Sequence, residues 1–476
     1  MTDTQWLDAT EQAALVRSGE VSPRELVLDA IERIERLNPA LNAVCYRRFE
    51  QALDEARNPP GDAPFAGVPT LIKHLEACAG EPHDRSTEVL KAAGTVAAED
   101  SVIARKFREA GFISVGRSTA PEFGLVSTTE SRAYGVTRNP WRTDLTSGGS
   151  SGGASAAVAA GMVPVAQAGD GGGSTRMPAS FCNLVGLKPS VGLVDVGSLR
   201  GDRWGHSVPS VLSHSVRDTA GIFDAISQGV EPGSTRVPPR GGGLLEALRR
   251  PADPLRIGFL VQAPDHATPL HPAVRDAVMS TAKLLEEAGH SVEESSPEAL
   301  SDPRTLAMFF DALSVTAAQA VDSVREQLGR CVPIDDFDPI TAFWDRRGRE
   351  ITGLGLADAL TWQNRLRARM GQWWADGFDL LLAPVFATPP RPLGWPWATP
   401  EGLQESVDVL TYTAPFNTTG QPAIAVPAAV TAADEPIGIQ LVAGYGREDL
   451  LVQVAGQLEA LRPWAHRHPN LPGSPG

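Results

Sequence analysis

Cysteine is scarce: four residues in 476, at positions 45, 78, 182 and 331, far apart and with no C-x-x-C pair. They read as buried reduced thiols rather than a disulfide framework. Long apolar runs are missing as well. The most apolar stretch, Ala154–Ala168, is broken by Gly161, Pro164 and Gln167, so no segment reaches the roughly 18 apolar residues of a spanning helix. The first residues, MTDTQWLDATEQ, have neither the basic start nor the apolar core of a signal peptide. The compartment expected is the cytoplasm. Positive charge is in deficit, with 42 Lys and Arg against 57 Asp and Glu and a net charge of −15. That disfavours nucleic acid and anionic membrane as partners, since phosphate recognition needs clustered basic residues; the acidity reads as a solubility feature. No repeat of fixed period and no tract of low complexity occurs.

What is present is globular in character, with 42% apolar and 21% charged residues. Along the chain, Asp8–Ser18 reads as a first helix. Ser22-Pro23-Arg24-Glu25 is a capping box with proline at the first helical position. Leu26, Ala30, Ile31, Ile34 and Leu37 then follow at helical spacing, and Asn38-Pro39 is expected to end that helix. Helix over 101–110 and strand over 112–115 follow, then a turn over 116–121. Strand 256–261, helix 272–288 and strand 291–294 repeat the alternation. Pro232–Gly243 is expected as a surface loop, 305–374 as largely helical, and 379–385, 423–430 and 437–442 as strands before a closing helix over 448–461. Alternating elements favour an α/β sheet with helices on both faces.

The stretch from Gly148 to Arg176 carries the chemistry. It reads GGSSGG, ASAAVAAG, MVPVAQAG and DGGGSTR: two glycine-serine turns around one short helix and one short strand. Ordering so much glycine is costly. Such turns therefore suggest positive φ or close approach of backbone N–H groups, and the apolar pattern between them is foreign to a flexible linker.

Three serine motifs compete. Gly148–Gly152 matches the G-x-S-x-G nucleophile elbow, but the preceding TRNPWRTDLTS is polar and proline-broken where a buried strand is needed. Ser280-Thr281-Ala282-Lys283 matches S-x-x-K without its companion motifs, on a helix whose buried face Val274, Val278 and Leu285 already define. The third is Ser174, preceded by Gly171, Gly172 and Gly173, where unobstructed N–H groups sit beside a hydroxyl as an acyl-transfer oxyanion hole requires. A serine nucleophile needs a base. Lys73, at the end of the apolar run Leu71-Ile72, serves if desolvation keeps it neutral; the competing reading is a solvated charge at a strand end.

At these residues the chain resembles the amidase signature family. The run GGSSGGASAAVAAGMVPVAQAGDGGGSTRMPASFCNLVGLKPS is similar to its signature, and the spacing 174 − 150 = 24 is that of its two catalytic serines. GVPTLIK resembles its lysine motif, GRSTAPEFG and RNPW its connecting segments, and HSVRDTA the segment beyond the signature. PFNTTGQPAIAVP and PIGIQLVAGYGREDLL resemble its C-terminal motifs. Within the family the chain is most similar to the 6-aminohexanoate-cyclic-dimer hydrolase branch.

The resemblance implies one amidase signature domain over 1–476, with a large mixed β-sheet covered by helices on both faces. Residues 1–60 would be a helical N-terminal segment, 61–220 the catalytic core, and 221–476 the rest of the sheet with the pocket loops. It further implies catalytic Lys73, Ser150 and Ser174, with Ser150 after a cis peptide bond, and an oxyanion hole from the N–H groups of Gly171, Gly172, Gly173 and Ser174. The implied reaction is amide hydrolysis through an acyl-enzyme on Ser174, acting on small-molecule amides such as cyclic or linear aminohexanoate amides. No cofactor or metal is implied, and a homodimer is an open option for assembly. Two alternatives stand beside it: a glutaminase subunit of a tRNA-dependent amidotransferase, and an inactive binding module. Two positions depart from the family pattern: His74 replaces the usual aspartate after the lysine, and Ser147 the usual proline before GGSSGG. Either His74 tunes Lys73 or it is a packing substitution. Substrate selection is expected from Gly124–Thr128, the helical region Leu306–Ala320 and the tryptophan loop Pro389–Pro400.

Overall fold

The computed structural model describes residues 4–59, 61–197, 204–229, 242–264 and 268–471. Most of the loop expected over 232–243 lies outside the described residues. The first helix spans Ala9–Ser18, closed at its start by reciprocal bonds between Asp8 and Glu11. The second spans Pro23–Leu41 behind the Ser22–Glu25 capping box. Asn38-Pro39 does not end it: Pro39 is accommodated in its last turns, and the chain leaves the helix at Asn42, whose φ of 51° makes a left-handed cap.

The strands are β1 (Val44–Arg47), β2 (Pro69–Lys73), β3 (Ile113–Ser118), β4 (Glu130–Ser131) and β5 (Gly135–Val136), then β6 (Val165–Asp170), β7 (Val185–Lys188) and β8 (Val208–Ser213). They continue as β9 (Arg256–Phe259), β10 (Ser291–Glu294), β11 (Leu380–Pro384), β12 (Ala423–Val430) and β13 (Pro436–Ala443). Apart from the β4–β5 hairpin they form one mixed sheet in the order β1-β3-β2-β6-β8-β7-β12-β13-β11-β9-β10. β2 pairs in parallel with both β3 and β6, whereas β7, β12 and β13 are joined antiparallel. The N-terminal segment is thus not wholly helical: β1 supplies a sheet edge, too short at four residues to show a period. Strand β3 also runs on to Ser118, through residues read as a turn.

Strand geometry puts successive side chains on opposite faces, and β2 shows it. Ile72 packs into a core with Phe107, Val216, Leu285 and Leu451, from helices on one side. Leu71 packs with Val158, Ala159 and Phe181, from helices Gly152–Ala159 and Arg176–Phe181 on the other. Lys73, two residues from Leu71, therefore shares the face on which the glycine-serine turns lie. Among the described residues no helix is long and apolar enough to cross a membrane.

Candidate active site

The glycines of GGSSGG are explained by closeness. A Cβ on Gly149 would lie 2.5 Å from the Thr128 carbonyl oxygen, and one on Gly153 would lie 2.3 Å from the Thr119 nitrogen. The turn is thereby pressed onto two neighbouring segments, with a cis peptide between Gly149 and Ser150. Ser150 and Ser151 are buried at its tip. Lys73 Nζ reaches both, at 2.8 Å from Ser150 Oγ and 2.9 Å from Ser151 Oγ. Its backbone is held from two sides: the N–H donates to Gln167 Oε1 at 3.0 Å, and the carbonyl accepts from the buried Arg117 at 3.1 Å.

Ser174 is half-buried and joins through the backbone, its carbonyl accepting the Ser151 N–H at 3.1 Å. Lys73, Ser150 and Ser174 line one cavity of about 390 Å³. Of the three glycines before Ser174, Gly171 and Gly172 also line it. Gly173 differs from them: its N–H donates to Asp170 Oδ1 at 2.8 Å, and its φ is 123°. Of the residues expected as oxyanion donors, Gly171, Gly172 and Ser174 are the ones at the cavity wall.

Asp170 anchors this turn. Its carboxylate takes two bonds of 3.0 Å from the Arg176 guanidinium, with both side chains fully buried, and a further bond of 2.9 Å from Asn417. Burial opposes ionisation of Asp170, but Arg176 and Asn417 hold its carboxyl far below the usual carboxylate range. Arg176 is satisfied in turn by Gln440, Thr413 and Asn417. Neither Asp170–Arg176 nor Ser151 was singled out from sequence; the alternation of acid, three glycines and Arg two residues past the serine was the available signal.

Two of the three segments expected to wall the pocket do so: Gly124–Ser127, and Phe309, Leu313, Thr316, Ala317 and Ala320 from helix Arg304–Leu328. The tryptophan loop does not. Trp395 is buried in an apolar core with Arg391 over its ring, and Trp397 is exposed. Trp204, His206, Trp344 and Leu410 complete the wall instead. The competing S-x-x-K motif lies on helix Pro272–Glu287, where Lys283 is three-quarters exposed and Ser280 bonds to its own helix. His74 is fully buried against Asp84. Burial disfavours its imidazolium, but Cys45 and Asp84 outweigh that and push His74 up to about 9.

The family model described as Amidase matches residues 25–452. A 6-aminohexanoate-cyclic-dimer hydrolase from Paenarthrobacter ureafaciens is 38% identical over 480 residues, covering 98% of this chain and 97% of its own. An acylamidase from Rhodococcus erythropolis is 30% identical over 478 residues, with 98% and 97% covered. A solved structure of 6-aminohexanoate cyclic dimer hydrolase complexed with substrate superposes with a TM-score of 0.93 at 36% identity, covering 98% of this chain and 99% of that one. Fold, site geometry and relatives along the full length agree: this chain belongs to the amidase family and is a hydrolase acting on carboxamide carbon–nitrogen bonds.

Proposed function

We propose that the chain hydrolyses small amides of the aminohexanoate type, cyclic or linear, with Ser174 as nucleophile, Ser150 as relay and Lys73 as base. The observation that carries this reading is the 2.8 Å contact between Lys73 Nζ and Ser150 Oγ in the cavity that Ser174 also lines. Neutral Lys73 takes the Ser150 hydroxyl proton while Ser150 takes that of Ser174, and the Ser174 Oγ–carbon bond forms. The carbonyl oxygen becomes an oxyanion held by the N–H groups of Gly171, Gly172 and Ser174, donors typically worth roughly 10²–10³ each in rate. Protonated Lys73 returns its proton through Ser150 to the leaving nitrogen, and the carbon–nitrogen bond breaks. Water then attacks the ester, giving its proton to the relay, and Ser174 is restored with release of the acid.

The largely apolar wall of Leu125, Val126, Phe309, Leu313, Trp344 and Leu410 suits a methylene chain. The test is mass spectrometry of the purified chain after brief exposure to aliphatic, cyclic and aryl amides. An acyl adduct on Ser174, absent in Ser174→Ala together with activity, is expected; turnover by Ser174→Ala sinks the mechanism. No observation favours the amidotransferase or binding-module readings.

A further inference from the structure

Six non-glycine residues among those described have left-handed backbone: Asn42, Arg85, Ser86, Phe123, Asn183 and Asp434. Asn and Asp tolerate that conformation. The other three, Arg85 (φ 52°), Ser86 (φ 60°) and Phe123 (φ 50°), meet at one place. The Phe123 N–H donates to the Arg85 carbonyl at 3.0 Å, and the Arg85 guanidinium lies 5.4 Å from the centre of the Phe123 ring. Arg85 and Phe123 both line the cavity that holds Ser174. Strained backbone of this kind persists only where its surroundings over-determine it, and it gathers at functional sites. Here the determinant is Asp84, buried and bonded to His74, whose Oδ1 also accepts the Ser86 N–H at 2.8 Å.

The strain presents a charge. Arg85 donates to Ser323 Oγ at 3.0 Å and to Gln327 Oε1 at 3.5 Å, both neutral acceptors on helix Arg304–Leu328. No carboxylate among the described residues forms an ion pair with it. Its half-buried position lowers its proton affinity by desolvation, yet a guanidinium stays charged and its planar fork matches a carboxylate. A cation partly withdrawn from water without a counter-ion is unfavourable, and a substrate can supply what the protein omits.

We infer that Arg85 is a specificity-determining residue, selecting amides that carry a carboxylate remote from the scissile bond and pairing with it across the cavity. This rests on the reading of the cavity as the active site. The partner class is therefore the linear amido acid, and a neutral amide of equal length is the poorer substrate.

The experiment compares two matched pairs: adipic acid monoanilide with hexananilide, and N-hexanoyl-6-aminohexanoate with N-hexanoylhexylamine. The first pair places the carboxylate on the acyl side and the second on the amine side. Wild-type protein is expected to favour the carboxylate member of at least one pair. Arg85→Gln should lower kcat/KM for that member about 10- to 100-fold, chiefly through KM, the range of a charged hydrogen bond. The neutral member should change by no more than about twofold, and Arg85→Lys should recover part of the loss. Equal loss on both members of each pair would mean a purely structural role and overturn the inference. If Arg85→Gln does not fold, wild-type preference decides, and equal kcat/KM within both pairs overturns it. Ser174→Ala is run on the same substrates: its retained activity would overturn the active-site reading itself, whatever Arg85 does.

Discussion

His74 Nε2 and Asp84 Oδ1 lie 2.8 Å apart, with side chains 0% and 2% exposed. His74 follows Lys73 in sequence, and Asp84 precedes Arg85. Because the folded His74 titrates near 9 and an unfolded histidine near 6.5, its contribution to stability is full below about 6.5 and is lost as pH rises through about 9. At most about 3–4 kcal/mol is involved, at roughly 1.4 kcal/mol per pH unit over the interval from 6.5 to about 9. Urea unfolding at pH 6.5 and 9.5 should show the fall, and His74→Gln should flatten it. An unchanged slope in the variant would remove His74 from the account.

A protonated imidazole on the residue that follows Lys73 in sequence favours the neutral amine. His74→Asp should therefore move the limb of the pH–rate profile that reports the base to higher pH. The measurement is kcat/KM across pH for wild type and variant. Coincident profiles would reduce His74 to packing.

Glu122 is buried beside Asp338, whose backbone N–H it accepts at 2.8 Å. Burial first, then the Asp338 carboxylate, push Glu122 up to about 8. The fold thus holds a proton that the unfolded chain releases above about 4.5, so stability declines between these values by up to about 1.4 kcal/mol per pH unit. Glu122→Gln should lose that decline and withstand more urea than wild type at pH 8. A variant that loses stability equally at pH 6.5 and pH 8 would contradict the shift.

Removing one partner of Asp170–Arg176 leaves the other charged and fully buried, with a cost of about 3–5 kcal/mol. Asp170→Asn should lose that much in denaturant unfolding, and activity with it, because the carboxylate also holds the Gly173 N–H. Full stability in the variant would mean that the ion pair is dispensable.

Gly124 combines a φ of 75° with closeness: a Cβ there would stand 3.0 Å from both Ser150 Oγ and Leu75 Cδ1. Gly124→Ala should displace the serine and lower kcat roughly tenfold or more, since misplacement near 1 Å can cost about 100-fold. Unaltered kcat would show that the turn gives way.

That Lys73, Ser150 and Ser174 meet at one cavity was legible because the motifs that carry them are local. Two serine turns separated by one helix and one strand have a fixed sequence spacing, and Lys73 ends an apolar run, which leaves a buried base and a solvated strand-end charge as its two readings. What escaped was set by distant packing. Trp395 and Trp397 look like pocket walls until the core claims one and solvent the other. Arg85 looks like any surface arginine, because only the folded chain places it against Phe123 and helix Arg304–Leu328. Strand β1 has too few residues to show an alternation, and Pro39 fits in the final turns of its helix because the chain leaves the helix at Asn42.

The β12–β13 hairpin joins β7 to β11 and so closes the sheet across its middle. During synthesis β7 is complete at residue 188, whereas β12 and β13 end at 430 and 443. β12 is the strand that covers β7, and at about 5–20 residues per second the 430 − 188 = 242 intervening residues keep that open edge waiting roughly 12–48 seconds. An uncovered edge strand is a template for mispairing. Yield in a living cell should consequently depend on chaperone capacity and translation speed more than on the stability of the finished enzyme.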